Sequence, residues 1–253
     1  MPPMSTATLA DRGGNPVSPV SPLVELTRFP RGGCGGRSPP PPEPSSPPHA
    51  GGWGGFEGAD GEDGLINNVN GGFKDYPVEV FETKYPAVIR GYGFRPDTGG
   101  PGRFRGGCGI YRSCDVGPDS YLYLWFERSV TPAWGLFGGR EAVGPDVVID
   151  QGRDSERHML KVNALPLAAG ATVELKTGGG GGFGDPLERD PGRVRDDVLD
   201  GYVTREGAER DYAVVLADDL AVDEAATTRL RAERSKVPAE AGSARRSHGA
   251  GSA

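Results

Sequence analysis

Five consecutive glycines, Gly178 to Gly182, sit in the stretch LKTGGGGGFGDPLERDP (residues 175–191), and glycine runs are places where backbone N–H groups can approach a phosphate. Gly179, Gly181 and Gly184 satisfy the GxGxxG spacing of a dinucleotide loop behind the strand-like ATVELK. Such a loop must open directly into a helix whose N-terminus meets the pyrophosphate. Here Asp185 and Pro186 intervene and the next helix signal is Pro191, so the context fails. No Lys-Ser or Lys-Thr follows the glycines, which excludes a Walker loop. A backbone role remains, since glycine admits positive φ and close approach of another chain. The strand before the run and the capped helix after it favour a tight positive-φ corner over a linker. Thr177, Gly179, Gly180 and Asp185 are the candidates here for contact with a substrate or a subunit.

Other side chains invite the same question. Arg103 and Arg105, in GRFRGG, could clamp a substrate carboxylate with paired N–H donors, or could form a solvated or interface salt bridge. Glu79, Glu82, Asp97, Asp115 and Asp185 are available as acids or bases, but Asp185 before Pro186 also reads as a turn residue, and Glu79 with Glu82 as the edge of a strand. Trp53 and Trp134, each beside glycines, could line a pocket or fill a core. Cys34, Cys108 and Cys114 contain no CxxC pair and read as reduced structural thiols. Three scattered histidines, His49, His158 and His248, offer no constellation for a metal. No catalytic residue and no metal ligand is assigned.

The elements that must hold these residues follow from composition. Gly (42) and Pro (24) make up about a quarter of the 253 residues, which predicts many turns and short strands and excludes a helical bundle. A net charge of −7 argues against nucleic acid or an anionic membrane as the partner, leaving protein or a small molecule. No long apolar run exists and residues 1–22 lack the pattern of a secretory signal, so a cytoplasmic location is expected.

Residues 1–50 hold 13 of the 24 prolines and are expected to be a disordered leader; residues 237–253 are expected to be a loose tail. The foldable region is 51–236. Strands are predicted around Val78 to Val80, Ala87 to Phe94, GCGIYRSCDV, YLYLWFERS, DVVID, HMLKVN and ATVELKT, with the third and fourth joined as a hairpin through GPDS. Helices are predicted from the caps Asp190 (with Pro191, and with Val194, Val198 and Leu199 on one face), Thr204 and Asp223; Gly201 should end the first. The fold class is therefore α+β, mainly antiparallel β followed by short C-terminal helices.

The segments GGWGGFEGADGEDG, YPVEVFETKYP, FRPDTGGPGRFRGGCGIYR, ERSVTPAWGLFGG, the glycine run with its following helices, and VDEAATTRLR occur here in an order that resembles the C-terminal part of the hydantoinase B/5-oxoprolinase family. That family includes N-methylhydantoinase B-type subunits and acetone carboxylase alpha subunits, and the resemblance covers about Gly51 to Lys236. It implies a hydrolase-family subunit working with a hydantoinase A-type partner, which uses ATP to open a cyclic amide such as a hydantoin or 5-oxoproline, or to carboxylate a ketone. It also implies that ATP binds on the partner half and that a divalent metal sits in the N-terminal half of the B-type subunit. Neither would be bound by this chain. The chain is accordingly expected to be a truncated subunit or one with a misplaced start, inactive alone; a non-catalytic module docking on the A-type subunit is the other reading.

Overall fold

The computed structural model describes residues 50–66, 77–117 and 120–236, together with the backbone of a strand at 23–28. Two antiparallel sheets share one hydrophobic core. The smaller has strands β1 (Leu23–Arg28), β4 (Ser120–Trp125) and β7 (Lys161–Leu167), in the order β1-β4-β7. The larger has β2 (Ala87–Phe94), β3 (Ile110–Val116), β5 (Asp146–Ile149), β6 (Arg157–His158) and β8 (Thr172–Lys176), in the order β2-β3-β8-β5-β6. Alternation explains the core: β3 buries every second residue from Ile110 to Val116, and β4 does the same from Ser120, so Cys114, Val116, Leu122 and Leu124 meet Val147, Ile149, Val173 and Leu175.

Three expectations are corrected. First, Val78 to Val80 belong to a helix, α1 (Val78–Lys84), rather than to a strand. Pro77 fixes the backbone before its first turn, Glu79 and Lys84 oppose the helix dipole at either end, and only Phe81 is buried, so the β-branched residues face outward. Second, β3 and β4 form no hairpin. Both edges of β3 are already occupied by β2 and β8, and the chain crosses to the other sheet, where β4 pairs with β1 and β7. Third, against the expectation of a leader that does not pack, LVELTR forms β1 and pairs in register with β4 from Leu23↔Trp125 to Arg28↔Ser120. Its alternating β-formers are a strand signal that the surrounding prolines obscure. The rest of the leader and the tail lie outside the described residues.

Glycine-rich segments build a third region with almost no side chains in it. Residues 51–65, 97–109, 136–143 and 177–184 run alongside one another and exchange backbone hydrogen bonds. The five-glycine run meets its neighbours with a period of three. Gly178 and Gly181 accept from Gly52 and Gly55 (3.0 and 2.9 Å), while Gly179 and Gly182 donate to Val143 and Arg140 (both 3.0 Å). Gly180 donates to Gly107 (2.9 Å) and accepts from Gly100 (2.7 Å), and Phe183, three residues on, exchanges two bonds with Phe104. A β-strand would repeat every two residues; three neighbours in rotation match the threefold repeat of a polyproline II-type helix.

This packing overturns the expected positive-φ corner. None of Gly178 to Gly182 has positive φ; the first that does is Gly184 (φ 74°). The glycines are needed for closeness. A Cβ on Gly180 would lie 1.8 Å from the Trp53 carbonyl oxygen, and one on Gly106 would lie 1.9 Å from that of Gly180. Neighbouring backbones occupy the side-chain space, as at the crowded axis of collagen.

The helical end follows the lattice. After a short 3₁₀ turn (Pro186–Glu188) come α2 (Pro191–Leu199), α3 (Arg205–Tyr212) and α4 (Glu224–Arg234). Asp190, Thr204 and Asp223 each accept an N-terminal backbone N–H, as predicted, and Gly201 (φ 78°) follows the end of α2. Val194, Val203, Ala208, Tyr212, Val214 and Leu216 form a small second core. The predicted apolar face of α2 is only partly right: Val194 is buried, Leu199 is half exposed, and the charged Asp197 takes the inward position.

Candidate functional site

The glycine lattice and the helical end are joined by a buried ion-pair network. Arg189, 1% exposed, directs Nη1 and Nη2 at the two oxygens of Asp60 (2.7 and 2.9 Å), and Nε and Nη2 at Asp197 Oδ2 (3.0 and 2.7 Å). Arg105 makes the matching fork onto Asp63 (2.8 and 3.1 Å) and reaches Asp197 Oδ1 through Nε at 3.2 Å. Arg193 adds a bond to Asp60 Oδ2 at 2.8 Å. Backbone N–H groups complete the carboxylates: Arg105 donates to Asp60 and Cys108 to Asp63. Three guanidiniums thus face three carboxylates, and the cluster is neutral as a whole.

The electrostatics follow from burial with partners. Burial would raise the Asp60 carboxyl, but the hydrogen bond and charge of Arg189, with help from Arg105 N–H and Arg193, hold it below its ordinary value. Asp197, deeper and between two guanidiniums, is raised by burial in spite of them. Burial works against the Arg105 charge as well, yet Asp63 and Asp197 overcome it and raise its pKa. The Cys108 thiol, which donates to the Tyr202 carbonyl at 3.3 Å, is pushed up to about 11 by burial and is therefore not a thiolate nucleophile.

The predicted candidates do not converge. Arg105 is consumed by the network and cannot clamp a substrate. Arg103 is exposed, 3.8 Å from Glu188 and over the Phe104 ring at 5.6 Å. Thr177 is buried and its hydroxyl accepts from Ile110 N–H at 2.8 Å. Gly179 and Gly180 stand in the lattice with their N–H groups donated to Val143 and Gly107, which leaves neither for a phosphate. Asp185 caps the 3₁₀ turn through Leu187 N–H at 2.9 Å. Among the carboxylates, Asp97 braces the α3 cap by accepting from Thr204 N–H and hydroxyl (2.8 and 2.5 Å), Glu82 accepts from Ile89 N–H, Asp115 pairs with Arg90, and Glu79 is exposed on α1. Trp53 sits in the lattice with its indole N–H buried and without a partner, whereas Trp134 is half exposed beneath Arg128. Among the described residues no group of three or more His, Cys, Asp or Glu side chains is placed to hold a metal ion.

At one end of the lattice the side chains return as an aromatic patch in which Phe104 and Phe183 are half-buried and Phe137 is exposed. Phe183 bridges to Phe104 and Leu136, and its ring lies 6.2 Å from that of Phe104 and 5.0 Å from that of Phe137. Phe137 is 71% exposed. It occupies the tip of the turn Leu136–Gly139, closed by Gly139 N–H to Leu136 C=O at 2.9 Å, with φ of 52° at Phe137 and 93° at Gly138. Those angles are those of a type I′ turn, whose first central position favours Asn, Asp or Gly.

Comparison with known proteins decides the lineage. The family model described as hydantoinase B/oxoprolinase matches residues 34–186, more than half of the chain. The chain belongs to the hydantoinase B/oxoprolinase family. The match begins inside the Pro-rich leader, earlier than the resemblance starting at Gly51, and stops before the helices. An uncharacterized protein of Methanocaldococcus jannaschii is 38% identical over 159 residues, covering 61% of this chain and 28% of that protein. A putative D-/L-hydantoinase of a Pseudomonas species, in its B-type subunit, is 31% identical over 171 residues, 66% of this chain and 28% of that one. The crystal structure of an ATP-dependent caprolactamase from Pseudomonas jessenii superposes with a TM-score of 0.62 at 28% identity, covering 72% of this chain and 33% of its own. The chain therefore spans about a third or less of the length of these relatives.

Sequence reasoning missed Asp60, Asp63, Arg189, Asp197 and Phe137. GADGEDG lies within a segment that carried the family resemblance, but Asp60 and its partner Arg189 are 129 positions apart and nothing local links them. Phe137 had a readable signal: GLFGG places a large aromatic where a turn wants a small polar residue.

Proposed function

We propose that this chain is the C-terminal portion of a hydantoinase B-type subunit whose complete form takes part in ATP-dependent opening of a cyclic amide. The family membership supports the subunit class, and the likeness to an ATP-dependent caprolactamase accords with a cyclic amide as substrate, while the equal likeness to an acetone carboxylase favours ketone carboxylation as the second reading. One structural observation carries the division of labour: the conspicuous arginines, aspartates and glycines of this span are satisfied by one another. Arg189 commits all five of its N–H donors, to Asp60, Asp197 and the Arg103 carbonyl. A network so closed positions a scaffold and leaves no donor for a substrate carboxylate.

On this reading ATP and a divalent metal are bound elsewhere in the assembly, by a hydantoinase A-type partner and by the remainder of a B-type subunit. A hydrolytic centre needs an activated water and a stabiliser for the developing oxyanion. Those groups would come from the rest of the assembly, while this span would hold the shape against which they close. The test is reconstitution. The chain is mixed with an A-type subunit and a B-type subunit from which the matching segment has been deleted, and hydantoin-, 5-oxoproline- or lactam-dependent ATP hydrolysis is followed. Restoration of turnover by this chain supports the reading; assembly of all three polypeptides without turnover on any cyclic amide contradicts it.

A further inference from the structure

We infer that the aromatic patch of Phe104, Phe137 and Phe183 is a docking surface for another stretch of hydantoinase B-type polypeptide, one corresponding to the part of the family chain that this span does not include. The inference rests on the proposed function and adds the place where the rest of the subunit seats.

Two independent observations point to this occupant. The first is backbone strain spent on exposure. A non-glycine residue with positive φ is uncommon, and a bulky aromatic at the tip of a type I′ turn is disfavoured on backbone grounds. Phe137 is held there by its neighbours yet turns most of its ring to solvent, so the fold itself gains little from the choice. Strain of this kind points to a requirement outside the fold. The ring reaches Phe183, which touches Phe104, and Arg103 covers Phe104, so the patch is continuous and built on the lattice rather than on a loose loop. An aromatic anchor on a rigid base is the usual form of an interface hot spot.

The second observation is length. This chain corresponds to 28% of the hydantoinase subunit and 33% of the caprolactamase chain it matches, so in those proteins the same fold accompanies at least twice its own length of polypeptide. The charge at the patch edge suits such a partner better than an anion: Arg103 lies within 3.8 Å of Glu188, so no strong field of one sign surrounds the rings.

The experiment uses the full chain and, as probe, the P. jessenii caprolactamase chain lacking the third that matches it. Affinity is measured by calorimetry and stability by thermal unfolding, for wild type, Phe137→Asn and Phe137→Tyr. Asn suits the positive φ, so Phe137→Asn is expected to melt at the same temperature or higher while binding the probe at least tenfold more weakly; Phe137→Tyr should bind within about threefold of wild type. Equal binding by wild type and Phe137→Asn overturns the docking inference and leaves the proposed function standing. No binding by wild type overturns both. A melting temperature several degrees lower in Phe137→Asn shows that the ring serves the fold, and a wild-type dimer dissociated by Phe137→Asn makes a second copy the occupant; either overturns the inference.

Discussion

The sheet core and the glycine lattice solve the same problem by opposite means. Between the sheets, side chains such as Leu122, Leu124, Ile149 and Val173 fill the space, and the backbones stand apart by the width of those side chains. In the lattice the backbones themselves fill the space, and a single methyl at Gly180 or Gly106 would enter a neighbouring carbonyl. The sheet core is stabilised mainly by apolar burial, which is non-directional and forgiving of shape. The lattice gains almost no apolar burial and relies on bonded amides at fixed spacing, locked to the helical end by ion pairs. It should therefore be brittle where the sheet core is adaptable.

The sharpest way to break the contrast is Gly106→Val, whose Cβ would fall 1.9 Å from the Gly180 oxygen. We expect no cooperative thermal transition for this variant, because the clash is with backbone that three other segments hold in place. A cooperative melt within a few degrees of wild type would show that the lattice can yield.

Next in size is the lock. Arg189→Met leaves Asp60 and Asp197 without their main counter-charge, and breaking a buried pair from one side typically costs about 3–5 kcal/mol. Urea unfolding should show that loss; a change below about 1 kcal/mol would mean that the network is solvated. The sheet core should respond by degree. Leu122→Ala is expected to lose about 2–5 kcal/mol and Leu122→Met less than about 1.5 kcal/mol. Equal losses for the two would contradict an adaptable core.

How much of this was readable in advance divides along the same line. Strands with alternating burial, Ala87–Phe94, Ile110–Val116 and Thr172–Lys176, the short apolar strand Asp146–Ile149, and the caps Asp190, Thr204 and Asp223, were legible because their signals are local. What failed was long-range. The sequence of β3 and β4 cannot say that β8 already occupies the edge where β4 would pair. Nor can five glycines say whether they supply positive φ or closeness, since the deciding atoms belong to Trp53, Thr98 and Pro101. The candidate site was misread for the same reason: Arg105 looked available because Asp63 and Asp197 are 42 and 92 positions away.

The smallest predicted effect lies at the edge of the larger sheet. His158, on the two-residue strand β6, faces Asp146 through Nδ1 at 3.1 Å and Glu156 through Nε2 at 3.3 Å, and these carboxylates raise its pKa. Because the folded value is raised, the pair stabilises the fold below the unfolded pKa of about 6.5, and that contribution is lost as pH rises through the folded value. The melting temperature should therefore fall slightly from pH 6 to pH 8.5, and His158→Gln should flatten the slope. An unchanged slope would show that solvent screens the pair completely.

The central claim is that the glycine run is a close-packed lattice element, neither a linker nor a phosphate loop, and two alanines within the run test it most directly. A Cβ on Gly178 would meet nothing nearer than 3.4 Å, whereas one on Gly180 would lie 1.8 Å from the Trp53 oxygen. Thermal unfolding of Gly178→Ala and Gly180→Ala in the full chain should give a melt close to wild type for the first and a loss of many degrees, or of the transition itself, for the second. Two melts that both match wild type would contradict the lattice and restore the linker.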